Sequence, residues 1–467
     1  MDNHETNGLF IFRRDLRLID NVGLYNASRM CDKLYTCFIF TPEQVTDENK
    51  YKSNNSVLFM IDSLNDLQKD INEQGGELIT FFGKQEVIIK QLIDKLNLRG
   101  VFFNKDYSPY ALDRDSKIKK ICEDQNIMCN AYSDYYLFEP GSILSEGSGE
   151  AYKKYTPFYN RVVNMRVSPI KNTKITNMIT TKNTKLTNLM PLNIAYKKFT
   201  YENPNILVRG GRKRGVIILK SDLVTQSRYK ETRDFFHKQT SHMSAYIKFG
   251  CISIREVYHS FANKYGKNNQ LIAELIWRDF FAHILYAFPD VVGQSYQPKY
   301  KNLKWKNDKK QIELWKQGNT GFPLVDAAMR QMNSTGYMHN RGRMLTASFL
   351  IKTLLVDWRI GEKYFAETLT DYDIASNNGN WQGISGTGVD MKPYFRDMNP
   401  WIQSSKFDPT TEYIKEWVPE LKYVSNGDIH KWYEAHSKEE YKTVKYPAPI
   451  VDYSTQKEEM LKMYKYA

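Results

Sequence analysis

Apolar positions along this chain change period near its middle. Short apolar runs at residues 9–12, 34–40, 78–82, 100–103 and 130–132 have the length of buried strands, and helical patterns fill the gaps between them. The clearest helix covers 57–71, where Val57, Leu58, Ile61, Leu64, Leu67 and Ile71 share one face; 87–96 and 112–122 behave alike. Strand and helix in alternation predict a parallel sheet covered on both faces, an α/β, Rossmann-like domain over residues 1–133. From 134 to 221 the pattern dissolves. Residues 172–188 repeat Asn-Thr-Lys and read as low-complexity sequence, so 134–221 is expected to be a flexible interdomain linker. Arg209-Gly-Gly-Arg-Lys-Arg-Gly215, near its end, reads as a mobile hydrated turn, with a phosphate contact or an import signal as alternatives. Beyond 221 the period is helical almost throughout, at 271–288, 321–332, 343–355 and 364–369, which predicts an all-α domain over 222–467. No fixed period recurs, which argues against a solenoid.

Composition sharpens this division. A chain of 467 residues suggests about two to four domains. All eight Trp fall between Trp277 and Trp432, so the chemistry is expected in the second half. A net charge of +13 makes a polyanion a natural partner, nucleic acid first and an acidic membrane surface second. The five cysteines form no Cys-x-x-Cys pair and the eight His lack ligand spacing, so no disulfide frame and no metal site is expected. A polar start and the lack of a long apolar run predict a soluble, intracellular protein without membrane association, in a reducing compartment that is either nuclear or cytoplasmic.

The stretch from Asp371 to Gly383 reads Asp-Tyr-Asp-Ile-Ala-Ser-Asn-Asn-Gly-Asn-Trp-Gln-Gly. In extended or turn backbone the Asp371 and Asp373 carboxylates face one way, Asn377 and Asn378 add donors and acceptors, and Trp381 supplies a flat wall. Taken alone it is also a capped turn between helices. Further on, Glu274, Trp277 and Arg278 stand at i, i+3 and i+4, as do Asn340, Arg343 and Met344, so each set shares a helix face. Gly342 within the second set costs that helix about 1 kcal/mol relative to Ala, which asks for a packing or cofactor reason.

The Asp371–Gly383 stretch resembles the flavin-cradling loop of the photolyase/cryptochrome family, and the likeness covers nearly all of the chain. The opening Phe-Arg-Arg-Asp-Leu-Arg-Leu-Ile-Asp-Asn resembles that family's entry signature, although three Arg and two Asp also suit a solvated, self-paired loop. Gly-Thr-Gly-Val-Asp-Met-Lys-Pro-Tyr-Phe-Arg396 is a further match. The resemblance implies FAD held by Tyr229, the Thr240-Ser241-His242-Met243-Ser244 loop, Arg278, Arg343, Asp371, Asp373 and Asn377. Arg343 would pair with Asp371 across the flavin, a fixed cation beside an anionic reduced ring. Glu274, Trp277, Asn340 and Met344 would border a pocket for a damaged pyrimidine flipped out of DNA, with Arg396 near its mouth. Trp381, Trp358 and Trp305 would form an electron-hopping chain from flavin to solvent. A second, light-harvesting chromophore of folate or deazaflavin type is compatible with the family, and no residue is assigned to it.

The implied activity is light-driven splitting of cyclobutane pyrimidine dimers by a monomeric DNA photolyase, a carbon–carbon lyase. Met-His-Asn-Arg at 338–341 resembles cyclobutane-dimer enzymes. One departure stands out: where dimer-repairing relatives read Trp-Gln-Trp, this chain reads Trp381-Gln382-Gly383. That gap favours the alternative, a cryptochrome-type blue-light sensor without repair activity, whereas Asn377, the intact pocket set and the short tail after Pro447 favour repair.

Overall fold

A computed structural model of the chain describes residues 6–171, 174–181, 184–390 and 394–467. Residues 1–5, four residues of the Asn-Thr-Lys stretch (172, 173, 182 and 183) and Met391, Lys392 and Pro393 of the matched motif lie outside the described residues.

The five expected strands form one sheet: β1 (Asn7–Phe12), β2 (Lys33–Phe40), β3 (Leu78–Phe82), β4 (Gly100–Asn104) and β5 (Met128–Tyr132). All neighbours are parallel, in the order β3-β2-β1-β4-β5. Alternation along β1 sends Leu9 and Ile11 to a face covered by α3 (Gln85–Lys95) and α4 (Pro109–Asp124). Phe10 and Phe12 go to the face covered by α1 (Val22–Met30) and α2 (Asn54–Glu73). The first half is therefore the α/β layer structure that the apolar period predicts.

The 134–221 interval departs from the expectation of a flexible linker. It carries α5 (Tyr155–Val162), α6 (Leu192–Phe199) and α7 (Arg212–Thr225), the last running across the expected boundary at 221. The physical reason is that apolar residues are hidden among the polar repeats: Ile175, Met178 and Met190 are buried in the same core as Phe10. The backbone there docks as well, since Leu34 N–H donates to Asn177 O at 2.9 Å and Met190 N–H to Thr80 O at 2.8 Å. The basic cluster is likewise no free turn, because Arg209 pairs with Asp62 at 2.8 Å and Arg212 with Glu256 at 2.7 Å.

The second half is helical. It includes α8 (Ser244–Lys248), α9 (Gln270–Ala287), α10 (Asn340–Ser348), α11 (Trp358–Thr368), α12 (Ile374–Ser385) and α13 (Tyr453–Lys465). Ile272, Leu275, Ile276 and Phe280 of α9 join the core on the Phe10 face of the sheet, so the two halves share one apolar interior. A second core gathers Trp315, Phe349, Trp358, Phe365 and Trp381. Among the described residues no helix is long and apolar enough to cross a membrane, and no group of His, Cys, Asp and Glu is placed to hold a metal ion.

The arginine-rich loop after β1 is buried between the halves instead of solvated. Leu16 N–H donates to Phe249 O at 3.1 Å, Arg14 Nε to Lys248 O at 3.2 Å and Arg17 Nη1 to Gly250 O at 3.1 Å. Gly250 has φ +63°, and a Cβ there would stand 2.2 Å from Arg14 O, so the loop approaches only because this residue is glycine.

Candidate active site

One cavity of about 490 Å³ collects most of the expected residues. Glu274, Trp277 and Arg278 line it from α9, and Asn340, Arg343 and Met344 line it from α10. Asn269 starts α9 by accepting from Ile272 N–H at 3.1 Å, which fixes where this face begins. Asp371 and Asp373 reach the cavity from the turn before α12.

Each carboxylate has an arginine partner. Asp371 receives both Nη groups of Arg343, at 3.1 and 2.9 Å, and the Ser244 hydroxyl at 2.6 Å. Burial alone would raise the Asp371 carboxyl, but the Arg343 charge and its hydrogen bond outweigh burial and lower it. Asp373 caps α12 through Ser376 N–H at 3.1 Å and takes Arg14 Nη2 at 2.6 Å. Here too burial pushes up, while Arg14 and Arg278 pull the group down to about 2. Beside them Lys248 donates to Ser56 Oγ at 2.7 Å, and burial, helped by the Arg14 charge, pushes its ammonium down to about 7.

Tyr229, Ser241, Met243 and Ser244 line the same cavity, whereas the Thr240 hydroxyl is engaged with Tyr337 OH at 2.7 Å. His242 in this loop has φ +51°, a left-handed conformation uncommon for a residue with a side chain. The loop bends back there to bring serines on both sides to the cavity. Hydroxyls and cations on one wall suit a pyrophosphate, and Trp277, Phe281 and Ile284 offer apolar surface to flat rings. The donor set thus fits FAD.

Some residues stand elsewhere than expected. Asn377 does not line the cavity; its amide donates to Glu362 O at 3.0 Å and Oε1 at 3.2 Å, while neighbouring Asn378 lines the wall. Arg396 lies in a second, adjoining cavity. Glu274 Oε1 accepts from Arg233 and from the Gln270 amide at 2.8 Å. One face of Trp277 is covered by Tyr155, with ring centroids 3.5 Å apart and planes within 6°, so that face is not open to a base. Trp381 is buried against α11, where a Cβ on Gly361 would stand 2.2 Å from its ring. Trp358 opens the same helix three positions before Gly361 and is buried in the same core as Trp381. Trp305 is half-buried and meets Tyr464 edge-on at 6.2 Å.

Sequence reasoning missed Arg14, Tyr155, Arg233 and Lys248. Only Arg14 had a visible signal, its place in the Phe-Arg-Arg-Asp-Leu-Arg signature; the others reach the site from segments with no motif of their own.

Comparison with known proteins gives the family. Residues 9–174 match the family model described as DNA photolyase, and 271–466 match the FAD binding domain of DNA photolyase. The deoxyribodipyrimidine photo-lyase of Halobacterium salinarum is 33% identical, covering 98% of this chain and 99% of its own. An archaeal photolyase from Sulfolobus tokodaii, solved with two FAD molecules, superposes with a TM-score of 0.88 at 39% identity over 99% of this chain and 100% of that one. A class III photolyase from Agrobacterium tumefaciens gives 0.91 at 30% identity over 100% and 98%. With both halves matched and relatives spanning it nearly end to end, the chain belongs to the photolyase/cryptochrome family.

Proposed function

We propose that this protein is a light-driven DNA repair enzyme that splits cyclobutane pyrimidine dimers, with FAD held in the cavity between α9, α10 and the Asp371–Asp373 turn. The observation that supports this most is the meeting of Glu274, Trp277, Asn340 and Met344 with the Arg343–Asp371 pair around one cavity. Reduced FAD held there would supply, on excitation, redox-neutral one-electron chemistry for opening the dimer.

The remaining work falls to the chain. Arg343 offers a cation to the reduced cofactor while Asp371 keeps that cation fixed and balanced. Tyr229, Ser241 and Ser244 hold the phosphate and ribose end. Glu274, held by Arg233 and Gln270, presents a polar edge to a flipped base, and the part of Trp277 that lines the cavity offers an apolar one. Lysines and arginines behind the net charge of +13 draw the DNA backbone to the mouth. Trp381, Trp358 and Trp305 run from the buried second core outward and are the route by which the cofactor is refilled.

The deciding experiment illuminates the FAD-loaded protein with an oligonucleotide carrying one thymine dimer. Dimers should disappear in light and persist in darkness, and binding should weaken steeply with salt. Absence of light-dependent splitting at saturating dimer would give the place to the sensor reading, in which the same light response is passed to a protein partner.

A further inference from the structure

Gly383 leaves more than a missing wall. A Cβ built on it meets nothing within 4 Å, and the space beyond opens into a second cavity of about 370 Å³. The two cavities share Met344, Gly383 and Ile384, so a side chain at position 383 is what would divide them. On the far side stands Phe395, 56% exposed, with its ring available to anything that enters the opening.

The backbone that carries Phe395 is pinned on both sides. Tyr394 stacks on fully buried Tyr464 with centroids 5.3 Å apart and planes within 2°, and Phe395 packs edge-on against Tyr394 at 5.8 Å. The carbonyl of Arg396 accepts from buried Lys352, and Met398 N–H donates to Ser348 Oγ at 3.2 Å. The ring is thus held at the rim of the combined opening by its edge-on packing against Tyr394.

We propose that Phe395 is a substrate-contact residue that supplies the second aromatic wall of the lesion pocket, closing from the rim the gap left by Gly383. This inference rests on the repair reading. A base or dimer reaching past Met344 meets the Phe395 face, and stacking is tolerant of which pyrimidine is presented because every base has a π-face. The wall lies further from the pocket floor than a side chain on 383 would, so the opening also admits dimers with bulkier substituents on the outer ring.

The test measures dissociation constants of the FAD-loaded protein for dimer-containing and undamaged duplexes. Phe395→Ala should weaken dimer binding roughly 5- to 150-fold and leave undamaged DNA unchanged, while Phe395→Tyr should restore most of the loss. In a Gly383→Trp background the indole occupies the gap, so the Phe395→Ala loss should shrink to a small fraction of its value. Dimer affinity unchanged in Phe395→Ala, equal weakening for both duplexes, or a full loss persisting beside Trp at 383 would each overturn the assignment. If wild type binds both duplexes equally, the repair reading itself fails and carries this one with it; selective wild type with an indifferent Phe395 removes the wall alone.

Discussion

The guanidinium of Arg14 and the carboxylate of Asp373 meet at 2.6 Å across 359 positions of sequence. One comes from the turn after the first strand and the other caps α12 at the cavity, so the cofactor cradle is closed by the α/β half. Arg14→Gln should leave Asp373 buried without its nearest cation. Breaking such a pair costs about 3–5 kcal/mol where both groups are buried, and the lower end applies because Arg278 remains close. Urea unfolding should show this loss, and FAD should wash out on desalting; full retention would place the docking energy elsewhere.

Asp371→Asn tests the other carboxylate. Hydrogen bonds to charged groups contribute about 1.5–3 kcal/mol, so FAD affinity should fall roughly 10- to 150-fold. Arg343→Ala should fall by a similar amount, and the double variant little further, because both remove one bidentate pair. Fluorescence titration of the apoprotein gives the three constants.

Trp381→Phe should strongly slow light-driven reduction of bound FAD by an external thiol, since phenylalanine fills similar space but resists oxidation. Trp358→Phe should do the same from one step further out. Reduction at the wild-type rate in either variant would show that the Gly361 contact serves packing only.

Glu362 gives a pH signature. Burial raises its carboxyl from 4.5 to about 7, despite the Asn377 hydrogen bond that lowers it. A folded carboxyl with raised pKa binds a proton that the unfolded chain has released, so its contribution is full below about pH 4.5 and is lost as pH rises to 7. Glu362→Gln removes that loss. Relative to wild type, the variant should gain at most about 3 kcal/mol between these limits. Denaturant midpoints at pH 5, 6 and 7 check the slope; parallel curves would mean Glu362 stays charged.

The sequence carried the sheet, its order of strands and helices, and the two helix faces of the cavity, because period and i, i+3, i+4 spacing are local quantities. Asp371 with Arg343 was legible through the family likeness. What spacing does not encode is which side of a half-buried helix faces a distant segment. Asn377 turned to Glu362 on α11, and Tyr155 came from an interval whose few apolar residues were diluted by Asn, Thr and Lys. The loop at 13–17 looked solvated for the same reason: its charges are matched by carbonyls at 248–250 and by Asp373, none of them nearby in sequence.

The docking of that loop fixes an order of events during synthesis. Domains fold as units, N-terminal first, as the chain leaves the ribosome. Arg17 already finds Asp134 and Arg14 finds Asp106, but the Arg14 bonds to Lys248 and Asp373 come later, and the core on the Phe10 side of the sheet waits for α9 to complete it. A nascent chain arrested before residue 270 therefore lacks Ile272, Leu275, Ile276 and Phe280, and the apolar surface they cover stays open to chaperones. The lining of the cavity runs from Tyr229 to Asp390, so its assembly follows release of most of the polypeptide.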